Sequence, residues 1–225
     1  MDALLMGVTW EDVAGWLPSF WSGFLISIQI TVVSLGLGIP LGFAFALGVQ
    51  AKSKLVRYLC LALVEIGRGA PALVLLQFVY YGLPNTGISV GAMAAAAIAL
   101  SWNTGAYTSE IIRAGLESVP AGQKEAVIAL GMTPADGLRY IIVPQGIRVA
   151  IPALMGFAII VFQGTSLCFA IAVPELISRA YDIGSMQFFY FPALGVAGLF
   201  YVAVCMPASF LVSWVERRAG VYSQR

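Results

Sequence analysis

Side chains able to do chemistry are few in this sequence. There is no histidine among the 225 residues, which removes the commonest general base and the usual zinc ligand. Cys60, Cys168 and Cys205 lie singly in apolar runs with no CxxC spacing, so they read as small packing residues and not as a disulfide or metal site. Of the three lysines, only Lys52 is followed by a hydroxyl residue, Ser53, and Ala51 stands where a phosphate-binding loop needs glycine. No ATP site, cofactor, metal or catalysis is therefore expected in this chain. What remains is a set of polar groups inside apolar stretches: Glu65, Arg68, Asn103, Glu110 and the block Gln163-Gly164-Thr165-Ser166. Ionisable groups at such places signal either a neutralising pair or a wet cavity. Glu65 and Arg68 are three residues apart and can neutralise each other on one helix face. Asn103 and the Gln163–Ser166 block can equally line a path or bond helix to helix.

The elements that must position these groups are membrane helices. The chain is 60% hydrophobic and only 10% charged, too little charge to cover a soluble domain of this length, so lipid must cover much of it. A net charge of +1 leaves no basic field for nucleic acid. Five segments reach the roughly 20 apolar residues that a bilayer core requires. They run approximately over 20–49 (interrupted by Pro40), 55–81, 88–112, 149–173 and 189–214, in one membrane domain of residues 1–225. Helices are expected, since lipid offers no partner to an unpaired backbone and no period-two alternation suggests a barrel. Asp2, Glu11 and Asp12 precede the first run where a cleavable signal would carry Lys or Arg, so that span is expected to be retained. Gly38 and Gly42 form a GxxxG pair, and Ala92 to Ala97 make the third span slender, both suited to close helix contact.

Basic residues alternate sides. Lys52, Lys54 and Arg57 follow the first span, Arg113, Lys124, Arg139 and Arg148 the third, and Arg217, Arg218 and Arg225 the fifth. The segment before span one and the loop 82–87 have none. The amino terminus is therefore expected outside and the carboxyl terminus inside.

The segment 113–148 is too long for a simple turn. Pro120 suits the first turn of a helix after Ser118, 122–130 favours helix, and Gly131 is a natural stop. Thr133-Pro134-Ala135-Asp136 reads as a new start, and Pro144 as the end of a second short helix. Such a hairpin can either cover the bundle or dock a partner.

The order Glu125-Ala126-Val127, Gly131, then Ile141-Ile142-Val143-Pro144 resembles the EAA loop of ABC importer permeases, with Val at the third position and in place of the later leucine. Arg68-Gly69-Ala70-Pro71, Asn103-Thr104-Gly105-Ala106-Tyr107 with Glu110, Val143-Pro144-Gln145, Gln163-Gly164-Thr165-Ser166-Leu167 and Val173-Pro174-Glu175-Leu176 are similar to blocks of its polar amino acid branch, which imports histidine, glutamine, glutamate/aspartate or cystine. The resemblance implies an all-α, five-span type I ABC importer permease in the bacterial cytoplasmic (inner) membrane. It implies that Glu125, Ala126, Val127, Gly131, Ile141 and Pro144 couple to a cytoplasmic ATPase dimer, which binds the ATP and Mg. It also implies a second permease subunit, identical or related, and an extracytoplasmic substrate-binding protein. Arg68, Asn103, Gln163, Gly164, Thr165 and Ser166 become the expected substrate path, with Glu65 and Glu110 as path or structural charges. Gly164 stands where the branch usually has aspartate, which points to an acidic or neutral polar amino acid, glutamate or aspartate first, and away from a basic one. Another small polar solute such as an opine or cystine is the alternative. An ion-coupled secondary transporter would not need the docking loop, and a membrane scaffold would move nothing.

Overall fold

The computed structural model describes residues 8–218, so Asp2 and Arg225 lie outside it. Among the described residues every regular element is helical. Helix α1 (Trp10–Gly48) is opened by a capping box in which the Thr9 hydroxyl accepts from Asp12 N while the Asp12 carboxylate accepts from Thr9 N. At 39 residues α1 is about 58 Å long, nearly twice a hydrocarbon core. It continues through Pro18 and Pro40. The expected interruption at Pro40 does not occur, because membrane helices re-satisfy the backbone groups that proline frees.

The expected second span is broken. Helix α2 (Lys54–Gly69) and helix α3 (Ala72–Thr86) meet at a bend of 107°. Ala70 and Pro71 are both extended there (ψ 138° and 136°). Proline pushes its predecessor out of the helical region and donates no N–H, so the chain turns at Gly69-Ala70-Pro71. Helix α4 (Ala92–Glu117) follows, then α5 (Ala121–Ala129), whose N-cap is Pro120 itself. Gly131 takes φ +67°, and Met132 N donates to Val127 O (3.1 Å) while Gly131 N donates to Ile128 O (3.0 Å), the Schellman stop that glycine permits.

Thr133 caps the next helix as expected, but that helix does not end at Pro144. It runs unbroken as α6 (Pro134–Ile171). A widened π turn over Gly137–Ile142 lies directly ahead of the proline and makes room for its ring against the preceding turn. Helix α7 (Leu176–Gln187) and helix α8 (Tyr190–Arg218) complete the bundle.

By length and apolarity, α1, α6 and α8 qualify as membrane spans, and the bent α2–α3 pair is a fourth if counted as one. Helix α4 has 26 residues, long enough to cross, but Asn103 and, in its second half, Glu110, Arg113 and Glu117 make it more polar.

Packing centres on α1 against α4. Gly38 faces Thr104 and Ser101, Gly42 faces Thr108 and Gly105, and Ala46 packs on Ile112 and Leu116, so the two helices run in the same direction. A Cβ on Gly42 would sit 2.1 Å from Thr108 Oγ1, and one on Gly38 2.5 Å from Thr104 Cγ2. Alanines 95, 96 and 99 of α4 receive Leu75, Leu76 and Val79 of α3 and Ile171 of α6. Gly42→Leu is expected to overpack this seam by about 1–3 kcal/mol. Gly36→Leu, whose Cβ meets open space, should stay within about 0.5 kcal/mol. Thermal unfolding of both variants in detergent checks the contrast; equal melting temperatures would refute the seam.

Candidate functional site

The break between α2 and α3 leaves carbonyls at the end of α2 without helical donors. Helix α4 supplies them. Asn103 Nδ2 donates to Gly67 O (2.8 Å) and the Tyr107 hydroxyl to Arg68 O (3.1 Å). Trp102 Nε1 adds a bond to Leu63 O (3.0 Å). Asn103 thus bonds helix to helix while its side of α4 also faces open space.

That space is a cavity of about 640 Å³ at the break. Arg68, Pro71, Asn103, Tyr107, Phe157 and Gly164 are among the residues that line it. Three of the six expected path residues, Arg68, Asn103 and Gly164, are therefore brought together from three helices. The other three are not. Gln163 is exposed and points toward Cys205 Sγ (3.6 Å). Thr165 is fully buried with its hydroxyl on Phe162 O (2.7 Å), and the Ser166 hydroxyl donates to Gln163 O (2.7 Å).

The rings of Tyr107 and Phe157 stack with centroids 5.4 Å apart. Further along the antiparallel α4–α6 pair, past this contact, lies a second cavity of about 510 Å³, lined by Glu110, Arg113, Gly115 and Ala150 among others. A third, about 410 Å³, lies where Glu117 and Lys124 converge with Gln50 and Ile142. An apolar cavity of about 260 Å³ between α1, α6 and α8 has no charged lining.

The ionisable groups form a chain. Arg68 pairs with Glu65 (2.9 Å) and reaches Glu110 (3.9 Å); Arg113 pairs with Glu110 (2.6 Å) and Glu117 (2.8 Å). All five side chains remain at least 30% exposed in the single chain. Hydrocarbon could not cover that face, so water or another polar surface must.

In the segment 113–148, Glu125 and Ala126 are exposed on α5, with Ile128 and Leu130. Val127 instead turns inward, where a Cβ on Gly137 would meet it at 2.3 Å. The valine at this place packs α5 against the start of α6. Ile141 is half-buried and Pro144 exposed on α6.

Phe157 is a residue whose importance the sequence did not signal, and the motifs that contain Tyr107 and Glu175 did not show what those two side chains do. Glu175 is fully buried and caps α7 by accepting from Ile177 N (2.9 Å) and Ser178 N (2.8 Å). The Tyr201 hydroxyl donates to it from α8 (3.3 Å). Its apolar neighbours Val173 and Leu176 were the available clue.

Residues 38–221 match the family described as "Binding-protein-dependent transport system inner membrane component". A probable amino-acid ABC transporter permease of Bacillus subtilis (strain 168) is 34% identical over 89% of this chain and 88% of its own length. The L-cystine transport system permease of the same organism is 34% identical over 99% of this chain and 97% of its own. Relatives named for glutamine and arginine (Bacillus subtilis) and for glutamate/aspartate (Escherichia coli O157:H7) lie at 32–34% identity. A crystal structure of an amino acid ABC transporter contains a chain of the same fold, with TM-score 0.88, 33% identity, and coverage of 94% of this chain and 99% of that one.

The cap at the helix break is testable apart from transport. Asn103→Leu strands the Gly67 carbonyl and is expected to cost about 1–3 kcal/mol. Tyr107→Phe, at a more exposed carbonyl, should cost about 0.5–1.5 kcal/mol. Melting of the purified variants orders them, and an unchanged Asn103→Leu protein would refute the cap.

Proposed function

Because this chain belongs to the family of binding-protein-dependent transport system inner membrane components, we propose that it is the substrate-conducting subunit of an ATP-driven amino-acid importer. The observation that carries the reading is the cavity at the α2–α3 break, where Arg68, Asn103 and Gly164 converge beside a bend that is costly to keep inside a membrane. In this reading the chain crosses the membrane five times, amino terminus outside and carboxyl terminus inside, as a single domain. A cytoplasmic ATPase dimer, a second permease subunit and an extracytoplasmic binding protein complete the machine.

Helix α5 is the proposed coupling helix. Its exposed Glu125, Ala126, Ile128 and Leu130 offer a mixed apolar and acidic surface to the ATPase. Val127 against Gly137 and the Gly131 stop make the hairpin stiff enough to pass a push to α6. Helix α6 carries Phe157 and Gly164, so displacement of one helix would move both the aromatic contact and the cavity wall. That is a rigid-body switch between discrete states.

For the substrate, we infer an acidic or neutral polar amino acid, glutamate or aspartate first. Gly164 faces the cavity without a carboxylate while Arg68 offers a guanidinium. An arginine or lysine side chain there would lack the countercharge that a low-dielectric site requires. The cystine-named relative supports a neutral zwitterion as the second reading.

Two experiments test this. In the complex reconstituted with its ATPase and binding protein, Gly131→Val and Glu125→Lys are expected to leave the subunit inserted but to weaken uptake and ATPase association; full uptake with undiminished co-purification would refute the coupling role. Saturable ATP-dependent uptake of labelled glutamate or glutamine over arginine is expected. Gly164→Asp, which a Cβ in open space can accommodate, should shift that preference toward arginine. Preferred uptake of arginine by the unaltered complex would overturn the substrate assignment.

A further inference from the structure

The charged chain beside the cavity is asymmetric in a way that bears on selectivity. Three carboxylates, Glu65, Glu110 and Glu117, alternate with two guanidiniums, Arg68 and Arg113. Its only link between helices runs from Arg68 on α2 to Glu110 on α4. Both guanidiniums approach the same Glu110 oxygen, Oε2: Arg113 Nη2 at 2.6 Å and Arg68 Nη1 at 3.9 Å. Glu110 lines the second cavity and Arg68 the first, whose wall includes the Tyr107–Phe157 stack. These pairs are partly exposed, so they add little to stability. Their effect is on the charge that the first cavity presents. Arg68 is paired closely with Glu65 and more loosely with Glu110, which Arg113 also holds.

We propose that Glu110 is a specificity-determining residue: divided between Arg68 and Arg113, it sets how much positive charge Arg68 offers to an amino acid in the cavity. The proposal rests on the reading of that cavity as the substrate path. Removing the Glu110 charge exposes Arg68 and favours an anionic substrate. Removing Arg113 frees Glu110 to compensate Arg68 more fully and favours a cationic one. Two substitutions three residues apart on α4 thus push selectivity in opposite directions, which a general loosening of the helix cannot do.

The test uses the assembled permease–ATPase complex in nanodiscs without binding protein, so that the receptor's own preference does not enter. Equilibrium binding of labelled glutamate, glutamine and arginine is measured. Glu110→Gln is expected to raise the glutamate-to-arginine affinity ratio about ten-fold, the order left after solvent screens charges that are about a third exposed. Glu110→Asp should restore most of the original ratio. Arg113→Gln should lower the ratio about three-fold, and it remains a test if Glu110→Gln fails to assemble. In the Arg68→Gln background the Glu110→Gln shift should shrink. Ratios unchanged, or all three ligands weakened equally in both variants, would overturn the proposal. Unaltered complex that binds none of the three would instead refute the cavity as substrate path, and the proposal with it.

Discussion

A polypeptide in hydrocarbon must satisfy every backbone polar group from within itself, and this chain breaks a helix under that constraint. The turn at Gly69-Ala70-Pro71 frees the carbonyls of Gly67 and Arg68, and α4 presents Asn103 and Tyr107 at the matching places to receive them. Without those donors the 107° bend would be paid for in stranded carbonyls. With them, the bend opens a cavity whose wall is the end of a helix. The cavity and its support are therefore one structure: the residues that hold the break open also line it.

Holding α4 at the right height is the task of α1. Gly38 and Gly42 let the two backbones approach closely, and the alanines of α4 admit α3 on another side. A slender α4 can touch α1, α2, α3 and α6 together, and so it becomes the element through which every part of the site is registered. The polar groups of its second half line cavities.

The same helix carries charge from the cavity toward the cytoplasmic hairpin of the proposed topology. From Arg68 the ionic chain descends through Glu110 and Arg113 to Glu117, which shares a cavity with Lys124 on α5. Lys124 adjoins Glu125, so the proposed coupling surface and the proposed substrate path are joined by polar groups as well as by α6.

Composition and pattern determined the class of this protein. Sixty per cent hydrophobic residues and 10% charged ones demand a membrane bundle, and local chemistry placed the Gly131 stop and the Thr133 cap, because such features depend on a few neighbouring residues. Local chemistry misled where proline was concerned. Pro40 and Pro144 were read as breaks and sit inside continuous helices, while Pro71, within a stretch read as one span, sits at the 107° bend. Whether a proline breaks a helix depends on who receives the freed carbonyls, and those receivers are remote in sequence. Only tertiary structure decided that Asn103 and Tyr107 meet α2, that Gly164 faces Arg68's cavity while Gln163 turns away, and that Glu175 is buried. Neighbours one residue apart on a helix point about 100° apart, so a polar block cannot reveal which of its members faces the path until the helix is packed.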